Sequence, residues 1–179
     1  MSKQEHEHGH CCEGDHCHCH EHSRGLKYEF IIIDCPPSLE MLALNGLCAA
    51  ILESGTVRVL RDPTRGGVAA VLNEIAEASG VGILIDEDAV PVRDAVRGVC
   101  DILGFDPLYL ANEGKCIAFV PEDEANAALA AMRSEPHGKD AVLLGETTDK
   151  APGQVGLRTT IGGIRIVDMP VGNLVPRIC

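Results

Sequence analysis

Aromatic residues are scarce in this chain of 179 residues, because they make up 3% of it, with no tryptophan, two tyrosines and three phenylalanines. The hydrophobic core must therefore be aliphatic, and few rings are present on which nucleic-acid bases can stack. Basic residues are also in the minority, since 15 Lys and Arg stand against 27 Asp and Glu and give a formal net charge of -12. A chain of this charge repels a phosphate backbone, so we expect no nucleic-acid binding.

Long apolar runs are also missing. No stretch reaches the roughly 18 apolar residues that span a bilayer, and the polar first 25 residues do not resemble a signal peptide. We therefore expect a cytoplasmic protein without membrane contact. The hydrophobic fraction of 45% is that of a core-forming chain, and the length suits one domain with a short appendage.

The first 26 residues form a separate compositional region that contains seven histidines and four of the nine cysteines. They show no apolar periodicity, so we interpret residues 1–26 as a disordered, flexible tail. Thiolate and imidazole groups suit Zn, Ni and Cu(I), and spacings of mostly i and i+2 favour several interchangeable coordination sets, as in metal storage or transfer. The alternative is a solubilising low-complexity tail. The candidate metal ligands are His6, His8, His10, Cys11, Cys12, His16, Cys17, His18, Cys19, His20 and His22.

Residues 27–51 begin with a β-branched and aromatic run, Tyr28 to Ile33, that predicts a buried strand. The strand is stopped by Asp34-Cys35-Pro36-Pro37, and Ser38 is a candidate cap for a following helix. This segment resembles the ParA/MinD family of partitioning ATPases, which implies that Asp34 helps to hold nucleotide-bound magnesium. The chain has no G-K-[ST] sequence to complete a phosphate-binding loop. We therefore favour a strand and helix that pack on the main domain over an ATPase.

Residues 52–179 alternate short apolar runs with helical periodicity, which predicts an α/β (α+β) fold with a mixed sheet packed with helices. Strands are predicted at 56–60, 81–85, 116–120 and 142–145, and a hairpin of 155–160 with 164–168 turns at Gly162-Gly163. One helix has an apolar face of Val68, Val71, Leu72, Ile75 and Ala76, and Gly80 suits its C-terminal cap. A second helical face comprises Val92, Val96, Val99, Cys100 and Leu103 and ends at Gly104. A third helix begins after Pro121, with Glu122, Asp123 and Glu124 in its first turn.

Three features of this region carry chemistry. In the turn Asp62-Pro63-Thr64-Arg65-Gly66-Gly67, paired glycines that open a helix expose N-H groups to an anion, and Arg65 can add a bidentate phosphate contact. Glu113 lies at the entrance to an apolar strand, where partial burial would favour a general base, but the sequence alone favours a surface glutamate. Cys179 ends the chain and can act as a carrier thiol, or be chemically idle.

Five separated motifs occur here in one order: Arg61 to Val68, Pro91 to Cys100, Ala111 to Lys115, His137 to Asp140 and Pro176 to Cys179. From about Leu52 onward they resemble the C-terminal domain of the HypE family of NiFe-hydrogenase maturation factors, in the AIR-synthetase-like (PurM-like) superfamily. The resemblance implies that Cys179 is carbamoylated by a HypF-like carbamoyltransferase. It further implies that the carbamoyl group is dehydrated with ATP to a thiocyanate and passed to a HypC-HypD-like complex.

The same resemblance implies that Glu113 is the base, and that the 62–67 turn, through Asp62, Thr64, Arg65, Gly66 and Gly67, lies near the nucleotide phosphates. HypE proteins also carry an N-terminal domain that dimerises, binds ATP and magnesium and supplies a catalytic lysine, and its place here is taken by residues 1–51. Autonomous dehydration is therefore in doubt. The alternative function is a Ni- or Zn-binding accessory or docking module of hydrogenase maturation.

Overall fold

A seven-stranded mixed sheet with helices on both faces organises the chain. The structure is a computed structural model that describes residues 28–34 and 40–171, with side-chain surroundings for 46–171. The elements in chain order are β1 Tyr28–Asp34, α1 Glu40–Ser54, β2 Val59–Arg61, α2 Gly67–Ser79, β3 Gly82–Asp86, α3 Asp94–Leu103, β4 Lys115–Pro121, α4 Ala125–Ser134, β5 Val142–Thr148, β6 Val155–Arg158 and β7 Ile164–Ile166. Two short 3-10 turns, Glu87–Ala89 and Pro107–Tyr109, complete the set for these residues. The predicted tail 1–26 and its metal ligands lie outside the described residues.

The strand order is β2-β4-β1-β5-β3-β6-β7. All neighbouring strands are antiparallel except β3 and β6, which run parallel. The predicted α/β fold with a mixed sheet is therefore confirmed. β1 lies inside the sheet between β4 and β5, and it is paired along its length with β4 from Tyr28 opposite Pro121 to Asp34 opposite Lys115. The strand of the 27–51 segment is thus a central part of the same sheet as the rest of the chain.

Two aliphatic clusters cover the two faces of the sheet. On one face, the apolar side of α2, including Val68, Leu72 and Ile75, packs on strand residues such as Ile85 and Ile117. On the other face, α1 and α4 pack on alternate residues of β4, and the cluster includes Leu47, Ile51, Met132, Ala118 and Val120. Burial of these side chains removes apolar surface from water, which stabilises the fold by about 25 cal/mol per Å² of apolar surface.

In the described part of the chain, no helix is both long and apolar enough to cross a bilayer.

The prediction for α3 was correct about the residue at which the helix ends. It was wrong about where the helix starts and about how much of its apolar face is buried. Gly104 caps the helix in the left-handed conformation, with φ 70°. The helix begins at Asp94, however, so Val92 lies ahead of it. Of the predicted apolar face only Cys100 is buried, and the most exposed apolar side chain on α3 is Ile102, at 84%. The periodicity predicts an amphipathic helix correctly, but it does not determine whether another element covers the apolar side.

Two further boundaries differ from the prediction. The acidic residues expected in the first turn of α4 precede the helix, because the chain first makes a turn in which the Glu124 N-H donates to the Pro121 carbonyl at 3.0 Å. The Glu124 carboxylate instead accepts hydrogen bonds from the backbone N-H and the hydroxyl of Thr56. The strand expected at 56–60 lies at Val59–Arg61, where it pairs with β4. The predicted hairpin is present as antiparallel β6 and β7, with positive φ at Gly162 alone of its two glycines.

Candidate functional site

The 62–67 turn connects the end of β2 to the start of α2. Pro63 is buried and fixes the turn to the body of the fold, whereas Asp62, Thr64 and Arg65 are exposed. Gly66 and Gly67 both have positive φ, at 71° and 65°, which side chains rarely adopt. The paired glycines therefore open a helix, as the sequence predicts.

Gly67 is also required by close packing. A Cβ atom at this position would lie 2.5 Å from the carbonyl oxygens of both Leu108 and Leu110. The start of α2 thus lies directly against the backbone of the Pro107–Tyr109 turn. Only a residue without a side chain permits this approach.

A hydrogen bond joins this turn to the second predicted motif. The backbone N-H of Asn112 donates to the Pro63 carbonyl at 3.1 Å, and the Asn112 side-chain amide donates to the Leu110 carbonyl at 2.9 Å. Glu113 follows directly and is exposed, so the partial burial considered from the sequence is not found in this chain. The structure therefore brings the 62–67 turn and the loop that carries Glu113 together, although 45 or more positions separate them in the sequence.

The segment that leads to the C-terminus passes the same place. The Asn73 amide on α2 donates to the Val167 carbonyl at 2.9 Å and to the Ala69 carbonyl at 2.8 Å. Further along, Pro170 lies so close to Gly66 that a Cβ there would be 3.0 Å from the proline ring. Cys179 lies outside the described residues, and Pro170, which contacts the start of α2, is next to the last described residue, Val171.

A groove that the sequence analysis missed adjoins these elements. It has a volume of about 290 Å³ and is lined by residues 104–106, Tyr109, Leu110 and the C-terminal segment 168–171. Burial raises the pKa of Tyr109, and the neighbouring Asp106 carboxylate raises it further. Asp106 is in turn paired with Arg165 at 2.9 Å. The available signal was that the run Phe105 to Tyr109 holds two of the five aromatic residues of the chain.

The electrostatics at the start of α2 suit an anion. The helix has no side-chain cap and no acidic residue in its first turn, so no side chain of that turn opposes the positive end of the helix dipole. The Arg65 guanidinium is exposed and forms no ion pair or hydrogen bond with the described residues. These groups fit the phosphate of a nucleotide.

Within residues 46–171, no three His, Cys, Asp or Glu side chains lie close enough together to hold a metal ion by themselves.

Comparisons with known proteins agree with the resemblance to HypE. Residues 18–158 match the family "AIR synthase related protein, C-terminal domain". The carbamoyl dehydratase HypE of Rhodobacter capsulatus is 54% identical over 138 residues, which are 76% of this chain and 41% of that protein. The chain thus spans about two fifths of the length of this curated relative.

Solved structures show the same similarity. A HypE crystal structure in complex with ATP superposes with a TM-score of 0.74 at 39% identity, over 85% of this chain and 52% of that one. A HypE-HypF complex contains a chain that matches with a TM-score of 0.73 at 38% identity, over 82% of this chain and 54% of that one. The resemblance to HypE is confirmed by these relatives and structures. The chain belongs to the family of AIR synthase related proteins, which it matches in their C-terminal domain.

Proposed function

We propose that this chain is the carrier-bearing part of a HypE-type carbamoyl dehydratase that serves NiFe-hydrogenase maturation. The observation that carries the proposal is the convergence of the 62–67 turn, the Asn112-Glu113 loop and Pro170 at the start of α2. A carrier thiol, a base and an anion site must meet for such a reaction, and this is the place where their segments approach one another.

In the proposed reaction, the sulfur of Cys179 holds the carbon of a carbamoyl group, and dehydration leaves a thiocyanate on the same sulfur. ATP supplies the phosphoryl group that makes the carboxamide oxygen a leaving group. Arg65 and the N-terminal N-H groups of α2 stabilise the phosphate charge. Glu113 accepts the protons that the carbamoyl nitrogen must lose as the carbon-nitrogen triple bond forms. One oxygen leaves as phosphate, and the sulfur-carbon bond is retained throughout.

The length of the C-terminal segment agrees with a carrier role. Cys179 is the eighth residue after Val171, and eight residues span at most about 27 Å. This reach covers the start of α2 and also allows the thiol to present its cargo to another protein. We assign the loading to a HypF-like carbamoyltransferase, the acceptance of the product to a HypC-HypD-like complex, and dimerisation to a second copy.

The remaining requirements belong to the part of HypE proteins without a counterpart here. The chain spans 41% of the R. capsulatus relative, so we assign the magnesium ligands and the rest of the nucleotide site to that remainder. We place the protein in the cytoplasm, which the free thiols of Cys48, Cys100 and Cys116 support.

The first experiment weighs the C-terminal peptide. The chain is co-expressed with hydrogenase maturation partners and digested after lysine, which releases residues 151–179. A carbamoyl adduct on Cys179 is expected, and it should be absent in Cys179→Ala and retained in the matched control Cys100→Ala. A cyano adduct would show that dehydration also occurs, and Glu113→Gln should then retain the carbamoyl form only. Loading at another residue, or none while a complete HypE is loaded in parallel, would contradict the proposal.

The tail adds a second proposed activity, the binding of Zn or Ni by residues 1–22, on the strength of its His and Cys content. Deletion of residues 1–22 should remove most of the bound metal, as measured by elemental analysis of the purified protein. Unchanged metal stoichiometry after the deletion would show that the tail is not the ligand.

A further inference from the structure

Two cysteines outside the proposed site lie against each other where α1 packs on the sheet. Cys116, near the start of β4, is 3% exposed and belongs to the cluster of Leu47, Ile51 and Ala118. Cys48, on α1, is half-buried and packs against the same cluster. The Cys116 thiol donates a hydrogen bond to the Cys48 sulfur, and neither cysteine forms a disulfide in the structure.

This arrangement differs from that of Cys100, which is also buried and free but lies on another helix. Two thiols in direct contact need only a small adjustment to form a bond, whereas an isolated buried thiol is inert. Cys48 also retains access to solvent, which a reaction with a small oxidant requires.

We propose that Cys48 and Cys116 form a redox-responsive dithiol that is converted to an intramolecular disulfide by a low-molecular-weight disulfide such as oxidised glutathione. A disulfide in a cytoplasmic protein is typically transient or redox-sensing. The bond would tie α1 to the strand that follows the Asn112-Glu113 loop. This inference does not rest on the carbamoyl chemistry.

The reaction proceeds by two exchange steps. Cys48, the more accessible residue, attacks as the thiolate on one sulfur of oxidised glutathione, and the first glutathione leaves as the thiolate. Cys116 then loses its proton and attacks the Cys48 sulfur of the mixed disulfide, so that the second glutathione leaves. The two cysteines are oxidised by two electrons, and one glutathione disulfide is reduced to two thiols. Burial raises the pKa of Cys48, partly offset by the hydrogen bond from Cys116, so we expect oxidation over minutes to hours.

The decisive experiment maps the linked peptides. Trypsin places Cys116 in peptide 116–133 and Cys48 in peptide 28–58, which also contains Cys35. The full chain with Cys35→Ser is therefore incubated with oxidised glutathione, alkylated and digested without reduction. We expect peptides 28–58 and 116–133 to be joined, with the mass of their sum less two hydrogens, in protein that migrates as a monomer on a non-reducing gel. The same linkage should form in a variant that also carries Cys100→Ser.

Three outcomes would overturn the proposal. The first is that Cys116 remains a thiol after Cys48 has been glutathionylated. The second is that Cys116 is linked to a cysteine other than Cys48, and the third is that the linked peptides are found only in dimers. Cys116→Ser should leave Cys48 as a stable glutathione adduct, because the resolving thiol is gone. As a second readout, the linked protein should melt roughly 5–10 °C above the reduced protein, since the bond closes a long loop. An unchanged or lower melting temperature would show that the native packing does not accommodate the bond.

Discussion

Substitution of Gly67 by alanine tests whether the start of α2 lies as close to the backbone of residues 108–110 as the structure indicates. The new methyl group must adopt a positive φ, which costs about 1–2 kcal/mol. It must also push apart backbone that lies 2.5 Å away, at the carbonyls of Leu108 and Leu110. Forced repacking of this kind costs about 1–3 kcal/mol. We therefore expect Gly67→Ala to lower the free energy of unfolding by roughly 2–5 kcal/mol in total.

Gly80, at the other end of α2, provides the matched control. Its φ is also 65°, but a Cβ atom there meets nothing within 4 Å. Gly80→Ala should thus show only the conformational cost of about 1–2 kcal/mol. Urea unfolding followed by far-UV circular dichroism measures both values, which suits a chain without tryptophan. If the two variants lose equal stability, within about 0.5 kcal/mol, the close approach of Gly67 to the backbone of residues 108–110 is refuted.

Two other predictions concern the groove and α3. Because burial and Asp106 raise the pKa of Tyr109, its phenol should ionise above the ordinary value of about 10. The stability that the neutral phenol contributes is complete below about pH 10 and is lost as the pH rises through the raised pKa. Absorbance titration of a Tyr28→Phe variant, in which Tyr109 is the only tyrosine, measures this directly, and a midpoint at or below about 10 would contradict it. Ile102→Lys on the exposed side of α3 should change the free energy of unfolding by less than about 0.5 kcal/mol, whereas Leu72→Ala in the α2 cluster should cost about 2–5 kcal/mol. A loss above about 2 kcal/mol at Ile102 would mean that its side chain is covered.

The elements that could be predicted are those whose signals are local. For α2, the apolar positions recur at helical spacing and Gly80 follows them, so the face, the length and the C-terminal cap are all present in one short stretch. α3 has an equally clear period, yet its apolar side is exposed. Burial depends on what other elements lie nearby, and sequence periodicity carries no information about that.

The candidate site shows the same division. The conformation of the 62–67 turn was predictable, because paired glycines at a helix start suit positive φ. Its contact with Asn112 was not, since the hydrogen bond to Pro63 depends on how the strands are ordered in the sheet. The contact of the Glu124 carboxylate with Thr56 was not predictable for the same reason, because its hydrogen-bond donors lie 68 positions away in the sequence.

The strand order has a consequence for synthesis of the protein. Among the described strands, β1, β2 and β3 are synthesised before the others, and none of them is the neighbour of another in the sheet. β1 and β2 await β4, and β3 awaits β5 and β6. Roughly 80 residues lie between the end of β1 and the start of β4, which is about 4–16 s of translation at 5–20 residues per second. Throughout that interval the apolar run Phe30 to Ile33 has neither of its native neighbours, β4 and β5, to pair with, and an unpaired apolar strand of this kind is prone to aggregation.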